Sequence, residues 1–346
     1  MNITVVVPNT DIKTDSIVYC EAFEKLGHTV NKVVLHNNKV ISDKPLENSD
    51  VIWCPYEQEI EIGLFLKKYL KVPLVGHFEW CPPWRVGMES PEEWGYEKNQ
   101  VSPEEIRNFQ KHYKRLIDNY KECDCRTIVN DYCYQTLKFL DETVKESGLI
   151  YKPYIVDDTL LLQKKDYNLR KKNQILTIGR LVPHKRISHI IKALSIIRNK
   201  EIVPLLKIIG YGPEENNLRK LADELNVKIE FVGRGDDGDK ATHIQESMFL
   251  VTPCASLPAG EAALFKVSTI MYDVETIEEK HGDIGVFCKN NDIEELADCI
   301  TDLITYDRYV SEGKRAYTQL MKGESGLCVS EVAAKKMITM FKTVIK

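Results

Sequence analysis

The feature that most limits what this chain can become is a rhythm: short apolar runs alternate with amphipathic stretches, stop once, and begin again. The first half opens on "NITVVVP", followed by a helical pattern with Ile17, Cys20, Phe23 and Leu26 on one face and Gly27 as its stop. "HTVNKVVL", "SDVIWC" and "VPLVGHF" read as strands, with "EIGLFLKKYL" as a helix before the last of them. A helix from about Pro103 to Tyr120, the strand "RTIVN" and the helix "DYCYQTLKFLDETV" follow. "KKDYNLRKKN", residues 164–173, is charged and aperiodic and reads as a linker. The rhythm then restarts with "QILTIG", a helix from Ile187, "LLKIIG", a helix over 213–225, "KIEFVG", "MFLVTP", "VSTIMYD" and "IGVFC". In the 213–225 helix, Pro213 suits the first helical position, Glu214 and Glu215 complement the dipole, and Leu218, Leu221, Ala222 and Leu225 share a face. Helices at about 292–305, 308–321 and 329–345 close the chain. Apolar strands alternating with helices imply parallel sheets covered on both sides. The expected fold is α/β, with two consecutive doubly wound, Rossmann-like domains.

Length agrees with two domains, since 346 residues exceed one ordinary core. A hydrophobic content of 43% with 29% charged residues is that of a globular protein. The net charge of −5 offers no global attraction to nucleic acid, so no nucleic-acid partner is expected. Ten cysteines without a signal peptide read as reduced thiols, which places the chain in the cytoplasm. Its apolar runs are too short to span a membrane. Cys123, Cys125 and Cys133 with His112 could supply four soft ligands, but the spacing is not that of a zinc knuckle, and plain burial is the preferred reading. Residues 78–103 hold three Trp and four Pro without periodicity, the mark of a long functional loop.

Open sheets of this kind bind ligands at the carboxyl ends of their strands. "IGRLVPHKRISHIIKAL" puts Gly179 and Arg180 at such an end and carries Lys185 to the start of the next helix. Arg180 offers a planar fork, Lys185 a mobile point charge, and the helix start its unpaired amides; together they match the oxygens of a diphosphate. Solvated cations flanking a turn are the plainer alternative. "IIGYGPEENNL" places Gly210 and Gly212 at the next strand end, where a backbone can approach a ligand closely or make only a tight turn. Asp237 and Asp239 in "DDGDK" form a D-x-D pattern, which reads as a solvated turn with a helix cap; no metal and no cofactor are expected.

In order and spacing, "GRLVPHKR", "GYGPEENNL", "IEFVGR", "MFLVTPC" and "GEAALFKVSTIMYD" resemble the nucleotide-sugar domain of GT-B glycosyltransferases, specifically the large retaining family four, the group-one glycosyl transferases. The resemblance is good over about residues 175–305 and weaker in the first half, through "EAFEKLGHTV", "VPLVGHF" and "YIVDDTLL". It implies an acceptor-side domain over 1–163, joined by a final helix at 329–346 that crosses back to it, a nucleotide-sugar domain over 174–328, and a cleft between them. By resemblance, Arg180 and Lys185 grip the donor diphosphate, Glu261 holds the ribose hydroxyls, the peptide groups near Gly233 and Arg234 edge the base, and His77 reaches the donor sugar. Glu79, Trp80, Trp84, Arg85 and Glu89 in the long loop are the acceptor candidates, because aromatic faces stack on sugars and carboxylates bind their hydroxyls.

Three loops depart from the family pattern. "CASLPAG" is shorter than its counterpart and has no carboxylate; "VETIEE" and "NTDIKTDS" lack the family's glycines. Glu275, Thr276, Thr10 and Thr14 are the local replacements. The implied activity is metal-independent, retaining hexosyl transfer from a nucleoside diphosphate sugar to an acceptor that is a saccharide, a lipid-linked group or a protein. Peripheral membrane contact stays open, since "FQKHYKRLIDNYK" is basic and "GLFLKKYLK" amphipathic. An epimerase or phosphorylase on the same plan and a catalytically silent binding protein are the alternatives.

Overall fold

The computed structural model describes residues 1–8, 13–36, 39–79, 82–97, 100–164, 170–171, 173–254, 257–273, 282–305, 307–324 and 326–345. Most of the linker expected at 164–173 lies outside these residues. The chain forms two compact units, one of residues 1–155 with 330–346, the other of residues 156–329.

The first unit is built on a seven-stranded sheet. Its strands are β1 (Asn2–Val6), β2 (Thr29–His36), β3 (Lys39–Ser42), β4 (Val51–Cys54), β5 (Leu74–Phe78), β6 (Cys125–Ile128) and β7 (Ile150–Tyr151), in the order β3-β2-β1-β4-β5-β6-β7. All pairs are parallel except β2 with β3. Every residue of β4 and β5 is buried, as expected of central strands covered on both faces. Helices α1 (Asp15–Lys25), α2 (Ile60–Leu70), α3 (Pro83–Val86), α4 (Pro103–Lys121) and α5 (Asp131–Leu140) cover the sheet. The start of α4 follows from its residues: Ser102 and Glu105 cap it reciprocally, and Pro103 takes the first position. One face of the core is aromatic. Trp53 packs edge-on to Tyr19 and Phe23, and Phe341 of the C-terminal helix (Ser330–Val344) closes over Phe23 and Trp53.

The second unit has six parallel strands: β8 (Gln174–Ile178), β9 (Leu205–Ile209), β10 (Ile229–Gly233), β11 (Phe249–Val251), β12 (Ser268–Asp273) and β13 (Val286–Lys289). Their order is β10-β9-β8-β11-β12-β13. Helices α6 (Ile187–Ile196), α7 (Glu215–Glu224), α8 (Asp237–Glu246), α9 (Pro258–Leu264), α10 (Ile293–Thr305) and α11 (Arg308–Lys322) complete it. Ile187, Ile190, Ile191 and Leu194 of α6 are buried in the core. The helix expected over 213–225 is shorter at its start: Glu214 is the cap, Pro213 stands in the turn before it, and the Glu214 amide donates to the Leu181 carbonyl. In both sheets the order reverses beside the first strand, between β1 and β4 and between β8 and β11. Connections leave in opposite directions there, and it is outside the carboxyl ends at such a reversal that open sheets of this kind bind ligands. Among the described residues no helix is long and apolar enough to cross a membrane.

Candidate functional site

At the carboxyl edge of the second sheet, three loops are laced together by backbone bonds. Gly179 donates to Ile209, Leu181 to Tyr211 and Gly210 to Gly233, at 3.0, 3.0 and 2.9 Å. The glycines of "GYG" make this lacing possible. A Cβ on Gly210, whose φ is +145°, would lie 1.8 Å from the Gly179 carbonyl oxygen; one on Gly212 would lie 2.4 Å from that of Leu181. Their close approach is thus to the neighbouring loop of the same chain.

The cations of "GRLVPHKR" separate by environment. Arg186 is buried at the start of α6 in a left-handed conformation, donating to Asn290 at 2.7 Å over the Tyr272 ring. It is part of the frame. Arg180 is exposed beyond Gly179, and among the described residues no ion pair holds it. Lys185 runs its stem past Gly179 and brings Nζ 3.3 Å from the Cys254 thiol at the end of β11. Two cations therefore stand at the ends of the two strands that flank the reversal.

Glu261 sits in the first turn of α9, and its carboxylate meets Lys240 Nζ at 2.8 Å. Lys240 also pairs with Asp237 at 3.4 Å. Burial opposes the charge on Lys240, but the Glu261 and Asp237 carboxylates outweigh it and leave the pKa raised. In "DDGDK", Asp236 and Asp239 form a reciprocal cap on α8, so the segment is a helix start whose lysine reaches the site. The sequence reading of this motif as a capped turn agrees with the capping bonds, but it missed Lys240. Gly233 adopts φ +80° with open space around its α-carbon, and exposed Arg234 lies 5.8 Å from the Tyr211 ring.

A second polar group gathers at the carboxyl edge of the first sheet. His77 is next to last in β5, fully buried, with Nε2 3.1 Å from Glu79. Lys152, also buried, reaches Asp15 at 3.2 Å and Glu79 at 3.9 Å. Tyr56 donates to Asp15, and the Glu79 amide donates to Glu57 at 3.2 Å. Asp15, Tyr56, Glu57 and Lys152 were not singled out in the sequence, though each follows or precedes a strand or helix end where ligands are expected. Of the loop candidates, Trp84 is 1% exposed and packs against Trp94 and Tyr96, so its ring lies within the aromatic core of the loop. Arg85 covers Phe109, and Glu89 accepts from Trp94 and Tyr132. Trp80, Thr10, Glu275 and Thr276 lie outside the described residues; Thr14 hydrogen-bonds Ser16.

Burial pushes the Glu57 carboxyl up from 4.5 to about 7, and Glu59 likewise. A carboxyl with a raised folded pKa prefers its proton in the native state. Its favourable contribution is complete below pH 4.5 and lost as pH rises through 7. Glu57→Gln should therefore stabilise the protein by on the order of 1–3 kcal/mol near pH 8 and leave it unchanged near pH 4. Urea unfolding at both values tests this; equal effects at both would contradict the buried-acid assignment.

Cys123, Cys125 and Cys133 are buried, with thiols pushed up by burial to about 12, 11 and 12. They are core residues, Cys133 donating to the Glu79 carbonyl at 3.0 Å. Among the described residues no cluster of potential metal ligands occurs.

The family described as "Glycosyl transferases group 1" matches residues 162–317, somewhat under half of the chain. An uncharacterized glycosyltransferase of Haemophilus influenzae is 27% identical over 54% of this chain and 53% of its own length. A GDP-mannose-dependent alpha-(1-6)-phosphatidylinositol monomannoside mannosyltransferase of Mycobacterium tuberculosis is 27% identical over 43% of each chain. The chain thus spans about half the length of the curated relatives it matches. HepE of Anabaena, solved with UDP-glucose, superimposes with a TM-score of 0.68 at 12% identity, covering 99% of this chain and all of its own. The fold is that of GT-B glycosyltransferases.

Proposed function

We propose that this chain, built on a GT-B fold, is a glycosyltransferase that moves a hexose from a nucleoside diphosphate sugar to an acceptor hydroxyl, with retention and without a metal. The observation that carries this reading is the pairing of Arg180 and Lys185 at the strand ends beside the sheet reversal. In glycosyl transfer the bond from the anomeric carbon to the phosphate oxygen breaks, and its electron pair leaves on the diphosphate. A bond to the acceptor oxygen forms, and that hydroxyl's proton passes to the departing phosphate oxygen. Cations fixed on the leaving diphosphate stabilise the charge as it develops. Glu261, oriented by Lys240, is assigned to the ribose hydroxyls, and the Gly233–Arg234 segment to the base. The donor is UDP- or GDP-linked, as in the compared proteins. Retention rests on the resemblance, and product stereochemistry decides it.

The direct test is thermal unfolding with UDP, GDP and ADP against their monophosphates. One diphosphate at about a hundred times its dissociation constant should add about 2.7 kcal/mol. That is a shift of roughly 5–10 °C for a domain of this size, with much less from the monophosphate. Glu261→Ala should erase the preference for ribo- over deoxyribonucleotide. The altered "CASLPAG" loop favours a second reading, a binding protein without turnover; a diphosphate shift with no transfer from any donor would select it. No diphosphate shift at millimolar concentration removes the donor site altogether. Transfer should survive excess EDTA, and an obligatory divalent ion would overturn the metal-free assignment.

A further inference from the structure

Each ring nitrogen of His77 faces a defined partner. Nδ1 lies 3.0 Å from the Thr127 carbonyl oxygen and 2.9 Å from the Thr127 hydroxyl. A carbonyl cannot donate, and that hydroxyl gives its own proton to the Gly76 carbonyl at 3.2 Å. Nδ1 must therefore carry a hydrogen. A neutral imidazole has only one, which leaves Nε2 bare. Yet Nε2 stands 3.1 Å from Glu79 Oε2. Two lone pairs facing each other at that distance repel, and one proton between them turns the repulsion into a hydrogen bond.

We infer that His77 and Glu79 hold one proton in common, with His77 as a positioning residue that sets the protonation state of the more exposed Glu79. The division of roles follows from access: His77 is fully buried, whereas the Glu79 side chain is 33% exposed. Other charged and titratable groups surround the pair. Lys152 stands 3.9 Å from Glu79 Oε2 and pairs with Asp15 at the start of α1. Tyr56 and Glu57 follow β4, the latter accepting the Glu79 amide, and Cys133 of α5 donates to the Glu79 carbonyl. Burial, then Lys152, holds the imidazole pKa down, while Glu79 opposes that shift. On the glycosyl-transfer reading, on which this step alone rests, Glu79 rather than His77 is the side chain that meets a substrate hydroxyl. A carboxyl that shares a proton with an imidazole can donate as well as accept.

The test is nitrogen NMR of the full chain labelled with ¹⁵N at histidine, over about pH 5 to 9. In the wild type, His77 Nδ1 should stay protonated throughout, and Nε2 should titrate with an apparent pKa that belongs to the pair. In Glu79→Gln the side-chain amide donates to the bare Nε2, so that titration should vanish while the other histidine signals keep their positions. Lys152→Met removes the nearest cation and should move the pair's apparent pKa upward. A His77 protonated at Nε2 and bare at Nδ1 overturns the inference, as does a Glu79→Gln titration equal to the wild type. None of these readings needs a sugar donor, so failure here and failure of the glycosyl-transfer reading are distinguishable. With a donor that is turned over, the wild-type pH profile should carry one ionisation that Glu79→Gln lacks.

Discussion

Arg180→Ala and Lys185→Ala are each expected to lower the rate of sugar transfer by about ten- to a hundredfold. Charge-assisted contacts contribute roughly 1.5–3 kcal/mol each, and contacts that strengthen as the diphosphate departs appear in kcat rather than in substrate binding alone. Neither side chain supports the fold. Arg180 is exposed, and Lys185 is held by a single thiol contact of 3.3 Å. Both variants should therefore unfold at the wild-type temperature. Arg186→Ala should behave in the opposite way, losing stability through its contacts to Asn290 and Tyr272. Asp237→Ala should leave transfer within a few-fold of wild type, because that residue meets the site through Lys240. Steady-state rates alongside melting curves decide the matter. Near-normal turnover in both alanine variants would sink the diphosphate assignment.

Gly210→Ala is expected to destabilise the second unit by on the order of 3 kcal/mol or more. Two costs combine. The φ of +145° is a region L-residues rarely adopt, and the new methyl would fall 1.8 Å from the Gly179 carbonyl oxygen. Backbone, not a flexible side-chain end, is the obstacle, so relief requires the β8 and β9 loops to separate. That would move Arg180 and Lys185 with them, and nucleotide binding should fail together with stability. Gly233→Ala is the control: its φ is also positive, but nothing lies within 4 Å of the added carbon. Its cost should be only that of the left-handed backbone, about 1–2 kcal/mol. Denaturant unfolding of the two variants would separate them, and equal losses would contradict the steric account.

The sequence by itself determined the α/β alternation and the positions of most of the strands and helices. The reason is that apolar runs and periodic faces are local, and strands buried on both sides leave no ambiguity of period. Four short strands escaped it: Lys39–Ser42, Ile150–Tyr151, Tyr154–Val156 and Leu327–Val329. Lys39–Ser42 and Ile150–Tyr151 are short, exposed edge strands whose formation depends on a neighbour offering its backbone. The residues proposed for the donor side, Arg180, Lys185 and Glu261, were singled out because each stands in a recognisable string, the first two just past a strand end and Glu261 at a helix start. Their circumstances were not legible. Only the tertiary structure decided that Arg186 belongs to the frame while Arg180 is exposed, that "GYG" yields room to a neighbouring loop, and that Lys240 comes to Glu261 from 21 residues away. The same holds for His77, Glu79 and Lys152, which are gathered from chain segments up to 75 residues apart. Charges and hydrogen-bond partners act through space, and a linear pattern carries no distance across a sheet.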